Sequence, residues 1–164
     1  MTSPPSALPG TPVDAVAAAL RPLLFSAGEV ALAGFRRVRA DRKADGTVVT
    51  AVDRAAEAVL VDGLRAAFPS DGIEGEEGAN HPGGPASWVV DPLDGTRAFM
   101  EGLAHWGPSL ARVEGGHILA GATWLPCTRD HFYVRDERDA FLGGDPLPDL
   151  SQETGRPRGS IFLP

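Results

Sequence analysis

The sequence predicts an α+β fold: two N-terminal helices packed on a mostly antiparallel sheet. Three observations carry this. Two stretches before residue 70 repeat apolar residues at helical spacing. Short apolar runs between punctuating glycines and prolines dominate the rest, and Gly115-Gly116 between two of them is a hairpin signal. At 164 residues, 43% hydrophobic and 23% charged, the chain suits one domain and can bury a sizeable core.

Residues 1–10 are rich in Pro and Ser and read as a disordered leader. Thr11-Pro12-Val13-Asp14 reads as a helix start, with Thr11 as N-cap and Pro12 at the first helical position. Val13, Val16, Leu20, Leu23, Ala27, Val30, Ala31 and Phe35 then keep helical spacing, while Pro22 should kink or split the helix. Asp45-Gly46 suits a turn between two short extended pieces. A second helix begins at Thr50, with Asp53 completing a capping box. Val52, Ala56, Val59, Leu60 and Leu64 form its buried stripe, and Pro69 stops it. On spacing alone Asp53 is a cap and Lys43 a solvated side chain. Ile73 to Gly78 gives a brief strand running into an acidic glycine turn, and 80–87 a surface connection. Strands are expected at Trp88–Val90, Pro108–Glu114, His117–Trp124 and His131–Val134, with a short helix or turn over 99–107. Asp145-Pro146-Leu147 lacks a preceding apolar strand and reads as linker, and 148–164 as a linker entering one further strand. The domain proper is expected over 11–147.

The most informative stretch is Trp88-Val89-Val90-Asp91-Pro92-Leu93-Asp94-Gly95-Thr96. A buried apolar run ends in two carboxylates. Pro92 lacks an N–H and should turn the chain after Asp91. Asp91, Asp94 and the Leu93 carbonyl could then aim oxygen at one hard cation such as Mg²⁺. Gly95 and Thr96 would open a helical turn whose N–H groups suit a phosphate oxygen. A solvated Asp-Gly turn is the plain alternative. Another is a haloacid-dehalogenase-like phosphatase with Asp91 as nucleophile, although that loop spaces its aspartates i, i+2 and this one i, i+3. Glu76 lies one strand earlier and could join the carboxylates if adjacent segments become neighbours.

A formal charge of −7 argues against a nucleic-acid partner. It also means that a phosphate ester needs a local cation. The single cysteine, Cys127, excludes an internal disulfide and suits a reducing compartment. The N-terminus lacks the basic start and apolar core of a signal peptide, and no run reaches membrane-spanning length. The expectation is a cytoplasmic protein with no membrane partner.

The ordered set Lys43, Asp45-Gly46, Thr50-x-x-Asp53, Gly75-Glu76-Glu77, the Trp88–Thr96 run and Trp106-Gly107 resembles the inositol monophosphatase family of Mg²⁺-dependent, lithium-sensitive phosphomonoesterases. The resemblance implies a layered α/β sandwich, usually a homodimer. It assigns Glu76, Asp91, the Leu93 carbonyl and Asp94 to metal, and Glu76 and Thr96 to the attacking water. Asp94, Gly95 and Thr96 would bind substrate, with Asp53 and Lys43 in support. Arg97-Ala98-Phe99 looks like the histidinol-phosphatase branch. The expected function is hydrolysis of a small phosphate monoester, of inositol phosphate or histidinol phosphate type, by metal-activated water. The sequence departs from the family in having no Trp-Asp-x-x-Ala-Gly motif and a Glu74 where an apolar residue is usual. The alternative is therefore a shortened homologue that binds metal or phosphate without turnover.

Overall fold

The computed structural model describes residues 13–37, 41–42, 48–49, 51–136 and 139–148. Thr11, Lys43, Asp45-Gly46, Thr50, the 1–10 leader and the final strand near Ile161 lie outside them.

Helix α1 spans Val13–Gly34 without a break. Pro22 does not split it. The proline and the residue four before it, Ala18, both face solvent, so the carbonyl it leaves unbonded can turn to water. The stretch Ala15–Gly34 is long and apolar enough to cross a membrane by length and composition, which corrects the expectation that no run is. Its apolar stripe is nonetheless spent inside the fold: Val16, Leu20, Leu24, Ala27 and Ala31 are buried. Strands β1 (Asp41–Arg42) and β2 (Val48–Val49) form the expected antiparallel pair. Helix α2, Ala51–Ala67, buries Val52, Ala56, Leu60 and Leu64 of the predicted stripe, leaves Val59 half-buried, and buries Val61 as well.

The remaining strands are β3 (Gly72–Gly75), β4 (Asn80–His81), β5 (Ala86–Asp94), β6 (Gly107–Glu114), β7 (His117–Leu125), β8 (Asp130–Arg135), β9 (Asp139–Leu142) and β10 (Asp145–Pro146). They form one sheet in the order β10-β9-β8-β7-β6-β5-β3-β4. Every pairing is antiparallel except β3 with β5. Two expected loops prove to be sheet edges. Asn80-His81 pairs with β3, and Asp145-Pro146, read as linker, pairs with β9. Proline is tolerated there because an edge strand has a side with no ladder to complete. Gly115 and Gly116 turn the β6–β7 hairpin at φ 58° and 83°, the positive values such a turn requires.

Helices α1 and α2 lie on one face of the sheet, against β5, β6 and β7. Trp88, Val90, Leu110, Ala122, Trp124 and Tyr133 point into that core with Leu20, Leu24, Leu60 and Leu64. The opposite face carries two rows of mostly small residues, which the register fixes. One runs Val89, Ala111, Gly121, Val134, and the other Asp91, Ser109, Thr123, Phe132. Among the described residues no helix lies across it.

Beyond the sheet's end, helix α3 (Thr96–Glu101) joins a smaller cluster of Ala31, Val52, Leu93, Phe99 and Trp106. Phe99 and Trp106 meet edge-to-face with centroids 4.9 Å apart. This small core fixes the far side of the loop that ends β5.

A carboxylate site at one end of the sheet

Because β3 and β5 are parallel, both end at the same edge of the sheet, and the chain segments that follow them leave side by side. The Glu76 N–H donates to the Val90 carbonyl at 3.0 Å and extends the ladder to the last residue before Asp91. Glu76 and Asp91 are thereby neighbours, as the strand order expected from sequence requires.

Pro92 does not end the strand, contrary to expectation: β5 runs through it to Asp94. The register shows how. Asp91 pairs with Ser109 but Asp94 pairs with Gly107, so three steps on β5 match two on β6 and one residue is extra. In a regular strand residues i and i+3 point to opposite faces. The extra residue returns Asp94 to the side of Asp91, and both line one cavity of about 250 Å³ with Ser109, Thr123 and Phe132 on the helix-free face.

The electrostatics are those of crowded acids. Asp91 has its pKa pushed up to about 8, first by burial, then by the charge of Glu76, with Asp94 adding to it. Its carboxyl also hydrogen-bonds with Glu76, while Asp91 Oδ1 accepts the Leu93 N–H at 3.0 Å, which opposes the rise. Asp94 is raised by burial and by Glu76, against a hydrogen bond from the Gly95 N–H. Thr96 Oγ1 donates to the Leu93 carbonyl at 3.0 Å and stands 3.4 Å from Asp53 Oδ1. Asp53 is 2% exposed, too deep to be only the surface cap its spacing suggested. The structure thus groups Glu76, Asp91 and Asp94, and beside them Asp53, Leu93 and Thr96. Among the described residues no group of three or more His, Cys, Asp or Glu side chains is placed so as to hold a metal ion. The donor set nevertheless suits a hard divalent cation: oxygen ligands only, three carboxyls, and repulsion that a cation would cancel.

Two further residues shape the site. Glu57 is buried on α2 and accepts the N–H of Glu77 at 2.8 Å and of Ala79 at 3.1 Å, holding the turn that carries Glu76. A glutamate on a helix normally reads as solvated. The available signal was its place one turn after Asp53, beside Ala56 in the buried stripe. Gly95 sits at φ 85°, and a Cβ there would come within 2.7 Å of the His105 carbonyl, so the bend into α3 demands glycine.

Residues 13–161 match the inositol monophosphatase family. The chain belongs to that family. It is 36% identical over 115 residues to the histidinol-phosphatase of Chlorobaculum parvum, covering 70% of this chain and 44% of that one. It is 34% identical over 125 residues to the fructose-1,6-bisphosphatase/inositol-1-monophosphatase of Thermotoga maritima, covering 75% and 48%. The crystal structure of the extragenic suppressor protein suhB from Bartonella henselae superposes with a TM-score of 0.75 at 26% identity, over 81% of this chain and 54% of that one. The chain spans about half the length of the curated relatives it matches. The structure accordingly presents the helix pair and the mixed sheet, about half of the family's fold.

Proposed function

We propose that this chain carries the cation- and phosphate-binding half of a Mg²⁺-dependent phosphomonoesterase. One observation supports the reading above others: Glu76, Asp91 and Asp94 face one another at the shared end of the parallel β3–β5 pair, with Thr96 and Asp53 adjoining. The residues that would hold Mg²⁺ are Glu76, Asp91, Asp94 and the Leu93 carbonyl. Bound there, Mg²⁺ supplies neutralising charge and lowers the pKa of water.

The chain's own groups divide the remaining work. Glu76 accepts the proton of the attacking water, oriented with it by the Thr96 hydroxyl. Asp53 keeps that hydroxyl in place from its buried position. Asp94, Gly95 and Thr96 bind the substrate phosphate at the bend into α3. The substrate is a small phosphate monoester, of inositol phosphate or histidinol phosphate type, and the assembly is a cytoplasmic homodimer. Water is the nucleophile, so no aspartyl-phosphate forms, which separates this reading from the haloacid-dehalogenase type.

A second reading is favoured by the open face beside Asp91: a chain that binds metal or phosphate without turnover. Phosphate release from histidinol phosphate, inositol 1-phosphate and fructose 1,6-bisphosphate, with and without Mg²⁺, decides between them. Metal-dependent release that falls about 100-fold or more in Asp94→Asn, as expected on losing a preorganised charge, supports turnover. Retained Mg²⁺ binding, lost in Asp94→Asn and without release of phosphate, establishes the second reading.

A further inference from the structure

A second cavity lies nowhere near the carboxylates. It lies on the helix-bearing face, where α1 passes over β7, β8 and β9, and holds about 560 Å³. That is the size of a small-molecule site. Its floor is aromatic: Phe25 and Trp124 stack with centroids 3.9 Å apart and planes inclined by 22°, and Tyr133 and Phe141 continue the surface.

Its rim is cationic. Arg21 from α1, Arg129 from the β7–β8 turn and Arg135 from β8 line it, and among the described residues no carboxylate does. In a chain of formal charge −7 that concentration of guanidinium is against the average. Arg135 is engaged with Asp139 at 2.7 Å and lies 5.3 Å over the Phe141 ring. Arg21 sits 5.4 Å from the Phe25 centroid, leaving its planar fork directed by an aromatic face. Arg129 adopts φ 64°, a conformation uncommon outside glycine, and its exposed side chain lines the cavity. On the wall, His131 Nε2 is buried with no hydrogen-bond partner. Burial and then the charge of Arg21 hold its pKa below the ordinary histidine value, so the ring is neutral at pH 7 and adds no further charge.

We propose that this cavity binds a small anion carrying a flat aromatic ring, the ring packing against Phe25 and Phe141 above the buried Trp124 and Tyr133, and the phosphate or carboxylate held by Arg21 and Arg129. Guanidinium groups favour both anions through paired N–H donors, and stacking selects for the ring. The site is separate from the carboxylate cavity, and the proposal does not depend on the chain being a phosphatase.

The test is calorimetric titration of the whole chain in EDTA, which removes divalent metal from the carboxylates. The probes are adenosine 5′-monophosphate, indole-3-acetate, adenosine and inorganic phosphate. An anion with a ring should bind at least about tenfold more tightly than either fragment. The first two probes distinguish phosphate from carboxylate as the anionic group. Arg21→Ala with Arg129→Ala should weaken binding by about tenfold or more per arginine. Both side chains are exposed, so circular dichroism should stay unchanged. Ala18→Trp, at the solvent-facing rim, should block the cavity independently. Failure of both ring-bearing anions to bind at millimolar concentration overturns the proposal. So does binding that survives the arginine pair and Ala18→Trp but disappears in Asp94→Asn, since the ligand would then occupy the carboxylate site.

Discussion

The two faces of the sheet obey different physics although they share every strand. On the helix-bearing face, large side chains alternate inward and close on Leu20, Leu24, Leu60 and Leu64. On the other, the rows through Val89 and Asp91 are mostly short side chains, and Asp91 at the end of one of them is crowded by Glu76 and Asp94. Apolar packing is concentrated in the first face and mutually repelling acids in the second. A site that must accept a cation has to keep uncompensated acid, and only a fold held from elsewhere can carry it.

Substitutions should separate the faces. Trp88→Ala, removing a wholly buried ring, should cost about 3–5 kcal/mol. Val89→Ala, one residue along but on the half-buried face, should cost less than about 1 kcal/mol. Urea denaturation of the pair measures the contrast, and similar losses would mean that the open face is as tightly packed as the other.

Next in size is the tie between the faces. Glu57→Ala deprives the Glu77 and Ala79 N–H groups of their acceptor and should destabilise by about 1–3 kcal/mol. Gly75→Ala should disturb the same turn, because its Cβ would stand 2.3 Å from Glu57 Oε2. Both should weaken Mg²⁺ binding by about 10–100-fold, as loss of a supporting hydrogen bond to a ligand does. Isothermal titration detects this, and unchanged affinity would show that Glu57 only stabilises the fold.

A third contrast concerns pH. Asp91 holds its proton more tightly folded, with a pKa of about 8, than unfolded, near 3.8. Its contribution to stability is therefore complete below about pH 4 and is lost as pH rises through 8. The metal-free melting temperature should fall across that window relative to Asp91→Asn, which lacks the titration. Saturating Mg²⁺ should reverse the trend, because a cation favours the ionised carboxylate. A wild-type profile parallel to that of Asp91→Asn would rule out burial of an acid at this position.

The sequence disclosed what local patterns encode. The α2 stripe, the Gly115-Gly116 hairpin and the strands β6, β7 and β8 follow from periodicity and turn chemistry. Strands β4 and β10 escaped because two polar residues at a sheet edge have no periodicity to display. The carboxylate loop was visible as a motif, but its geometry was not. Pro92 reads as a stop, and only the pairing with β6 shows that an extra residue lets β5 continue and brings Asp94 round to Asp91. Glu57 escaped for the opposite reason, and spacing alone read Asp53 as a cap: buried acids look like surface acids until their partners are known.

The carboxylate of Asp71, immediately before β3, is a last feature of the buried face. It receives the Trp88 Nε1–H at 3.0 Å and the Arg112 guanidinium by two bonds, and both ions are more than nine-tenths buried. Trp88 and Arg112 are register partners on β5 and β6. Strand β3 has only four residues, too few for apolar pairing alone to choose its alignment firmly. Asp71 works as a dowel, seating β3 against two strands at once. A slip of one residue would move Glu76 by about 3.3 Å and turn its neighbours to the wrong side. The accuracy of the acid cluster is thus set at the far end of the strand, by a group that takes no part in it.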